Sequence, residues 1–522
     1  MAALYTLHSL LTAFLQFRPT SAVTLEAKKL EQKTPIAAFP LRRVEAMAES
    51  LAPPVLVRIM LLLLLLIAAS PSTLESSSPS PAVRILSAER RVDLTSSIVK
   101  VYLTMKVENL GASYVSDILL AFSPTEAEHL AIIKASLTEG KRKKKKYTPL
   151  DVNPTELAGI PNGAKLFSIS LISPLKTGET TVIEVLYVLT HSLEPFPTEI
   201  RQSESQLVYY HDSAILLSPY HVVEQIMYIK TPTNRVESFT KVDPTNRAGT
   251  ELKYGHFHEQ PPFNYIPITV HFENNNPFAV VEELVREVEI SHWGSVQVTE
   301  HYKLKHAGAR HKGVFSRLDY QARPSIHGAS SFKQLLAKLP PRVHSVYYND
   351  EIGNISTSHL RTDYQQSELE IEPRYPLFGG WKATFVIGYS VPLEVFLFKS
   401  PDGQHYLNFS FGCPLHETLV DQLTIRVILP EGAKNPSAAI PFDSDHFLEK
   451  TYSYLDVVGR STVVIKKKNV VPDHNVPFQV YYNFSPAFML AEPLMLVTVI
   501  FLFFCACIAY LHMDLSLSSS KA

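Results

Sequence analysis

The chain is predicted to be mostly β, with two tandem β-sandwich-like luminal domains and one C-terminal transmembrane α-helix. Three observations point there. Short apolar runs with period-two alternation recur between residues 79 and 483, bounded by Pro, Gly, Asn or Asp. Two pairs of these runs match one another at a single sequence offset. Residues 494–511 are apolar apart from Thr498. As a helix they cover about 27 Å, close to the hydrocarbon thickness of a bilayer.

In chain order, the first element is the apolar stretch 59–69, which contains the tract from Leu61 to Leu66 and follows Arg58. It is too short to span a bilayer, which takes roughly 20 apolar residues. It suits the h-region of a secretory signal, and Ala68, Ala69, Ser70 and Ser72 follow where a signal peptidase cuts. A start at Met47 gives a signal peptide over 47–75. Residues 1–46 then read as a non-structural N-terminal extension. The rival reading is an organellar transit peptide, because 1–25 lack Asp and Glu; Arg18 is their only basic residue. The tail 512–522 has one Asp and one Lys, so flanking charge gives almost no orientation signal. Orientation rests on the signal: the bulk of the chain is expected in the lumen, single-pass type I.

The repeat organises what lies between. Val92-Asp-Leu94, the run 98–107 and Gly111-Ala112 are echoed by Val288-Glu-Ile290, the run 296–304 and Gly308-Ala309. Val222-Val-Glu-Gln-Ile-Met-Tyr-Ile229 is echoed by Leu419-Val-Asp-Gln-Leu-Thr-Ile-Arg426. Both matches keep an offset of 196 to 198, the pattern of a duplication. The expected domains are 79–275 and 282–483, joined around Gln260-Pro-Pro-Phe263 and Asn274-Asn-Asn-Pro277. Further strands are expected at 182–189, 206–210, 225–230, 384–389, 406–411, 423–429 and 461–466. Helix is expected only at 125–135 and 331–338. This density of turn-bounded strands fits sandwiches.

Composition narrows the function classes. Among 522 residues, 46% are hydrophobic and 19% charged, and the net charge is −1, which argues against a nucleic-acid binder. Pro (37) outnumbers Gly (19), and Tyr and Phe are abundant, favouring strands and turns. Of three cysteines, only Cys413 falls in the luminal part, so no intrachain luminal disulfide is available. Cys413 reads as a small buried apolar side chain. Cys505 and Cys507 lie inside the membrane helix; filler is the favoured reading over palmitoylation near the cytosolic face. Lys141-Arg-Lys-Lys-Lys-Lys146 reads as a solvated loop, with acidic lipid or an acidic partner as the alternative. His256-Phe-His258-Glu259 is a weak match to metal-ligand spacing. His301, His306 and His311 recur every five residues, which does not gather imidazoles on one face. No G-x-S-x-G, Walker loop or H-E-x-x-H occurs, and no cofactor or metal site is expected.

Three sequons offer N-glycan acceptors in a translocated chain: Asn354-Ile-Ser, Asn408-Phe-Ser and Asn483-Phe-Ser. Asn354 lies in a turn-rich stretch and is the strongest. Asn408 falls inside an expected strand. Asn483 lies shortly before the membrane helix, where a transferase standing off the bilayer reaches it poorly.

Long irregular runs carry a resemblance. They include Phe122-Ser-Pro-Thr-Glu-Ala-Glu-His129, Tyr209-Tyr-His-Asp212, Ser218-Pro-Tyr-His221, Ser291-His-Trp-Gly294 and Lys312-Gly-Val-Phe-Ser-Arg317. Tyr347-Tyr-Asn-Asp-Glu-Ile-Gly-Asn354, Ser356-Thr-Ser-His-Leu-Arg361, Pro373-Arg-Tyr-Pro-Leu-Phe-Gly-Gly-Trp381 and Glu492-Pro-Leu494 complete the set. Over roughly 79–515 the chain resembles the ribophorin I family, in a plant form. The resemblance implies a subunit of the endoplasmic reticulum oligosaccharyltransferase, the complex that moves a preassembled glycan from dolichyl diphosphate to Asn in Asn-X-Ser/Thr. It implies a non-catalytic role in complex assembly and substrate presentation. The implied partners are the other subunits, including the catalytic one, nascent polypeptides and the ER membrane, with no nucleic acid. The tryptophan-rich acidic motif of the catalytic subunit is absent, Trp293 and Trp381 standing alone. The family usually continues into a cytosolic helical domain after the membrane helix; here eleven residues follow Leu511, so ribosome contact is not carried over. The alternative reading is a free-standing luminal β-sandwich receptor or cargo chaperone of the secretory pathway. A luminal hydrolase ranks third.

Overall fold

The computed structural model describes residues 83–139, 146–156, 163–322, 330–363, 365–453, 456 and 458–513. The expected extension, the signal, most of the basic run and most of the tail lie outside those residues. Strands form where apolar and polar residues alternate. β1 (Val83–Asp93) and β2 (Val99–Asn109) bury nearly every second side chain. Each large apolar side chain buried this way stabilises the fold by about 1.5–3 kcal/mol.

The first half adds β3 (Leu130–Glu139), β4 (Thr180–Leu189), β5 (Leu207–Ser213), β6 (His221–Lys230), β7 (Glu251–Gln260) and β8 (Pro267–Glu273). Its main sheet has the order β7-β6-β1-β2-β4-β3, extended by Thr245–Ala248 beside β7 and Lys146–Leu150 beside β3. The β1–β6 pair is parallel and its neighbours are antiparallel. A four-stranded sheet has the order Val236–Phe239, β8, β5, Leu193–Pro195. A three-stranded sheet has the order Val115–Phe122, Lys165–Leu175, Val152–Thr155. Buried residues from all three sheets form one core cluster.

The second half contains β9 (Ala279–Ser291), β10 (Ser295–His306), β11 (His344–Asp350), β12 (Lys382–Pro392), β13 (His405–Ser410), β14 (Leu419–Ile428), β15 (Arg460–Val470) and β16 (Pro477–Asn483). Its main sheet has the order β15-β14-β9-β10-β12-β11, extended by Asp445–Thr451 beside β15. The β9–β14 pair is again the parallel one. The four-stranded sheet is Lys434–Ala439, β16, β13, Leu397–Lys399, and the three-stranded one is Leu335–Leu339, Ser367–Ile371, His359–Thr362. Connectivity of the three sheets matches the first half, except that the edge strand Lys146–Leu150 has no counterpart. A β-bulge follows Ile85 in β1 and Val281 in β9, positions 196 apart.

Two expectations of helix are corrected. In 125–135 only a single turn is helical, α1 (Pro124–His129), capped by reciprocal bonds between Ser123 and Glu126; β3 begins at Leu130. In 331–338 there is no helix: Ser331–Phe332 and Leu335–Leu339 are strands. Leu335, Ala337 and Leu339 are buried while Leu336 and Lys338 face out, so tertiary burial overrides helix propensity. The Gln260–Phe263 segment leads into β8, which pairs with β5, so it is internal to the first half. Two further short helices are α2 (Arg317–Ala322) and α3 (Leu393–Phe396). The chain then enters a long apolar helix, α4 (Ala491–His512), whose 22 residues rise about 33 Å. Thr498 Oγ1 donates to the Leu494 carbonyl at 2.7 Å, so its hydroxyl is satisfied within the helix.

Each half is pinned by a buried arginine at the same place. Arg90 of β1 pairs across the parallel ladder with Met227, and Arg286 of β9 with Ile425. Arg90 forks onto Asp212 of β5 at 2.7 and 2.8 Å, donates to the Tyr187 hydroxyl at 3.0 Å and reaches the Ser213 carbonyl at 3.1 Å. Tyr210 donates to the same carboxylate. Arg286 donates to Glu300 of β10 at 2.9 Å and to the carbonyls of Ser410, Phe411 and Gly412. Its guanidinium lies over the Phe409 ring, and Tyr302 and Tyr389 donate to Glu300. Burial is the largest influence and opposes charge on each arginine; the nearby carboxylate and the surrounding tyrosines together outweigh it, and both pKa values are raised.

The halves meet over an apolar patch of Ile98, Val188, Val280, Leu419 and Val471. Around it, Thr190 donates to Asn469 at 2.7 Å and Lys100 pairs with Asp473 at 2.9 Å.

Replacing Arg90 with Met strands the Asp212 carboxylate in the core and is expected to cost about 3–5 kcal/mol. The double variant Arg90→Met/Asp212→Leu should recover most of that loss. Denaturant unfolding of the detergent-solubilised chain reads both; a double variant no better than the single one refutes the account.

Candidate functional site

A broad groove lies where the two halves join. Its walls are built from segments far apart in sequence. Glu199–Ile200 of the first half pairs in parallel with Arg310–His311 of the second. The Arg310 and Lys312 amides donate to the Thr198 and Ile200 carbonyls at 2.8 and 2.7 Å. The Gln202 side chain donates to the Ser316 carbonyl and accepts from the Ser316 amide, at 2.9 and 3.0 Å. That amide clamp fixes the loop 312–316 against the first half. Gln206 is fully buried behind it and accepts from the Ala309 amide at 2.9 Å. Gly379 is required at the join: a Cβ there would sit 1.7 Å from the Ala309 carbonyl oxygen.

The resulting groove has a volume of about 1080 Å³ and is lined by Arg201, Lys312, Arg317 and Lys333 against Asp319 and Glu372. Four cations to two carboxylates make it basic. Phe315, Tyr320 and Tyr375 supply ring faces, backed by Phe378 and Trp381 at centroid distances of 5.4–6.1 Å. Arg374 at the rim is bound to Asp350 at 2.6 and 2.9 Å, and that hydrogen bonding pulls the Asp350 pKa down to about 2. Guanidinium and ammonium groups beside ring faces are suited to holding a polypeptide segment.

His306, at the end of β10, buttresses the join. Its Nδ1 accepts from the Gly308 amide at 3.0 Å, so Nε2 carries the proton and faces Ser330 Oγ at 3.1 Å. Burial pushes its pKa down to about 4. Burial does the same to His292 and His474.

The residues singled out in the sequence fall in several places. Asn354 is exposed beside β11. Asn408 lies in the interior of β13, flanked by strands on both sides, and its side-chain oxygen is buried. Asn483 closes β16 and is half-buried. Cys413 is a free buried thiol, and burial pushes its pKa up to about 12. His256 and His258 lie on strand β7, and His256 faces Glu224 at 2.9 Å. His301 is exposed, His306 buried and His311 part-buried against Phe378. Glu431, Asp456 and Glu492 bring carboxylate oxygens within 4.8 Å of one another. Arg460 bonds Asp456 and Glu492 at 3.0 Å each, supplying positive charge to the group. Sequence reasoning missed the groove and both buried arginines. The arginines had a signal, since 90 and 286 share the 196-residue offset of the repeat.

Comparison with known proteins gives a consistent picture. Residues 83–511 match the family model described as Ribophorin I. The chain is 68% identical to dolichyl-diphosphooligosaccharide–protein glycosyltransferase subunit 1B of Oryza sativa subsp. japonica, over 86% of this chain and 95% of that one. It is 62% identical to subunit 1B of Arabidopsis thaliana, over 85% and 96%. It is 36% identical to subunit 1 of Caenorhabditis elegans, over 84% and 74%. A solved two-domain M1 zinc metallopeptidase is 14% identical over 39% of this chain and 42% of that one, with a TM-score of 0.25, a likeness too slight to carry fold or function.

Stability should depend on pH through these histidines. The folded pKa of His306 lies below its unfolded value near 6.5. Between the two, the unfolded chain binds the extra proton, so stability is full above about pH 6.5 and lost as pH falls toward 4. Thermal unfolding midpoints in detergent should fall over that window, and His306→Gln should flatten the slope. An unchanged slope contradicts the assignment.

Proposed function

This chain belongs to the ribophorin I family, and from that premise we propose that it is the binding and positioning subunit of the oligosaccharyltransferase complex rather than the one that transfers the glycan. Membership of the complex fits the relatives that are named as its subunit 1. The observation that carries the non-catalytic role is the single apolar helix among the described residues. A dolichyl-linked donor has to be held where lipid meets lumen, enclosed by several helices and activated at a divalent ion. One helix leaves most of such a donor in bulk lipid.

The remaining parts fit this role. Two tandem β domains, 79–275 and 282–483, stand in the lumen on a single-pass type I anchor in the ER membrane. The basic, aromatic-lined groove at their junction holds an extended segment of a nascent polypeptide before or while the catalytic subunit acts on it. Assembly with the other subunits uses the wide sheet faces and the membrane helix. Neither role needs a cofactor.

Gentle purification of the tagged chain from microsomes should recover the other subunits in one particle, and a photoreactive residue at Val314, which is 94% exposed at the groove, should cross-link to translocating nascent chains. Migration as a monomer would favour a free-standing receptor. An intact particle without cross-links would keep the assembly role and remove the presentation role. Glycan transfer by the purified chain alone would overturn the non-catalytic reading.

The exposed Asn354 is the proposed glycan acceptor, and Asn408, half-buried within β13 with its side-chain oxygen shut off from solvent, is not. Asn354→Gln should abolish the gel shift produced by endoglycosidase, whereas Asn408→Gln should leave it. Sensitivity unchanged in Asn354→Gln refutes both the site and its accessibility.

A further inference from the structure

We propose that the turn between β9 and β10 is a second membrane contact, with Trp293 seated in the lipid headgroup interface beside the spanning helix. Three observations converge on this. The first is exposure: Trp293 is 69% exposed at the tip of the hairpin, a large cost for the biggest apolar side chain if it faces water alone. Neither the hairpin nor the core requires it there, because the turn is closed by backbone and Ser291 bonds.

The second is position. Glu289, near the end of β9, is bound by Arg460 at 2.5 Å, and the same guanidinium holds Glu492 at 3.0 Å. Glu492 lies in the first turn of α4, just before the apolar residues that span the bilayer begin. The Glu289–Arg460–Glu492 chain therefore sits at headgroup depth, where charged groups remain hydrated. The β9–β10 tip lies four residues beyond Glu289. The third is a second tie: the His292 ring stacks on Phe484 at 4.0 Å with an interplanar angle of 6°, two residues before the turn Pro486–Leu490 that leads into α4. The Leu393 amide donates to the Gly294 carbonyl at 3.0 Å and buttresses the tip from the other side. The tip is thus tied to the root of the membrane helix through Glu289 and His292 on its β9 side, and braced by Leu393 on the other.

The indole suits the interface chemically: its ring is apolar and its N–H is a donor for headgroup oxygens, which is why Trp concentrates at bilayer surfaces. Leu490 (61% exposed) and Val458 (51% exposed) flank the Arg460 cluster, Leu490 immediately preceding α4, and extend the apolar rim. A helix alone leaves the luminal body free to swivel about its axis. A second lipid contact fixes its tilt, and with it the height of the junction groove above the membrane.

The chain contains only two tryptophans, and the second is a built-in control. The Trp381 carbonyl accepts from the His306 amide, at the opposite end of the β10–β12 pair. Eleven strand residues place it about 37 Å from the tip. The test uses the full chain in lipid nanodiscs, as Trp381→Phe (leaving Trp293) and Trp293→Phe (leaving Trp381). Each is measured with ordinary and with brominated phospholipids. Trp293 emission should be blue-shifted and at least halved by bromine placed near the top of the acyl chains, and less affected by bromine near the bilayer centre. Trp381 emission should be unchanged by either. An unquenched Trp293 overturns the proposal whether its emission is that of an indole in water or of one packed on protein. Circular dichroism of the two variants establishes that both are folded.

Discussion

A guanidinium sealed between two β layers organises each half of this molecule. Arg90 and Arg286 occupy corresponding rungs of the parallel pair at the centre of each main sheet. Each reaches out of its own sheet to the backbone carbonyl at the end of the facing strand, Ser213 in one case and Ser410 in the other. The carboxylate that balances the charge has changed address. In the first half it is Asp212, on the facing strand; in the second it is Glu300, on the neighbouring strand, and Phe409 fills the place that corresponds to Asp212. A buried cation without a partner is so costly that one carboxylate could move only if the other was in place. What persists is the requirement, not the residue that meets it.

The same logic shapes the junction. Two sandwiches joined by a short linker would pivot unless polar backbone at the seam found partners. Gln202 and Gln206 supply them, each satisfying main-chain groups of the other half. These are directional bonds, so they fix the loop that walls the groove. The apolar patch around Val188 and Leu419 adds area without direction. Specific geometry comes from the amides and adhesion from the patch.

Much of the architecture is legible in the sequence because alternation and repetition are local signals. The runs 98–107 and 296–304 alternate visibly and become β2 and β10, and the offset between them anticipates matching sheets. The membrane helix is legible for the same reason. Leu335-Leu-Ala-Lys-Leu339 reads as helix because its residues favour helix; only the burial of alternate positions makes it a strand, and burial depends on distant residues. The arginines are hidden because an isolated Arg in a strand looks solvent-exposed. The groove is hidden because its walls come from segments far apart in sequence, around 201, 315 and 374.

The parallel pair at the heart of each half has a temporal consequence. Arg84 is registered with His221, and Val280 with Leu419, so each central rung closes a span of nearly 140 residues. A chain synthesised from its N-terminus cannot complete either sheet until the last third of that half has emerged. Until then β1 and β9 have an unfilled edge, the condition in which strands associate with whatever edge is nearby. Each half of this molecule therefore passes through a stage in which its central strand waits, half-paired, for a segment still to be made.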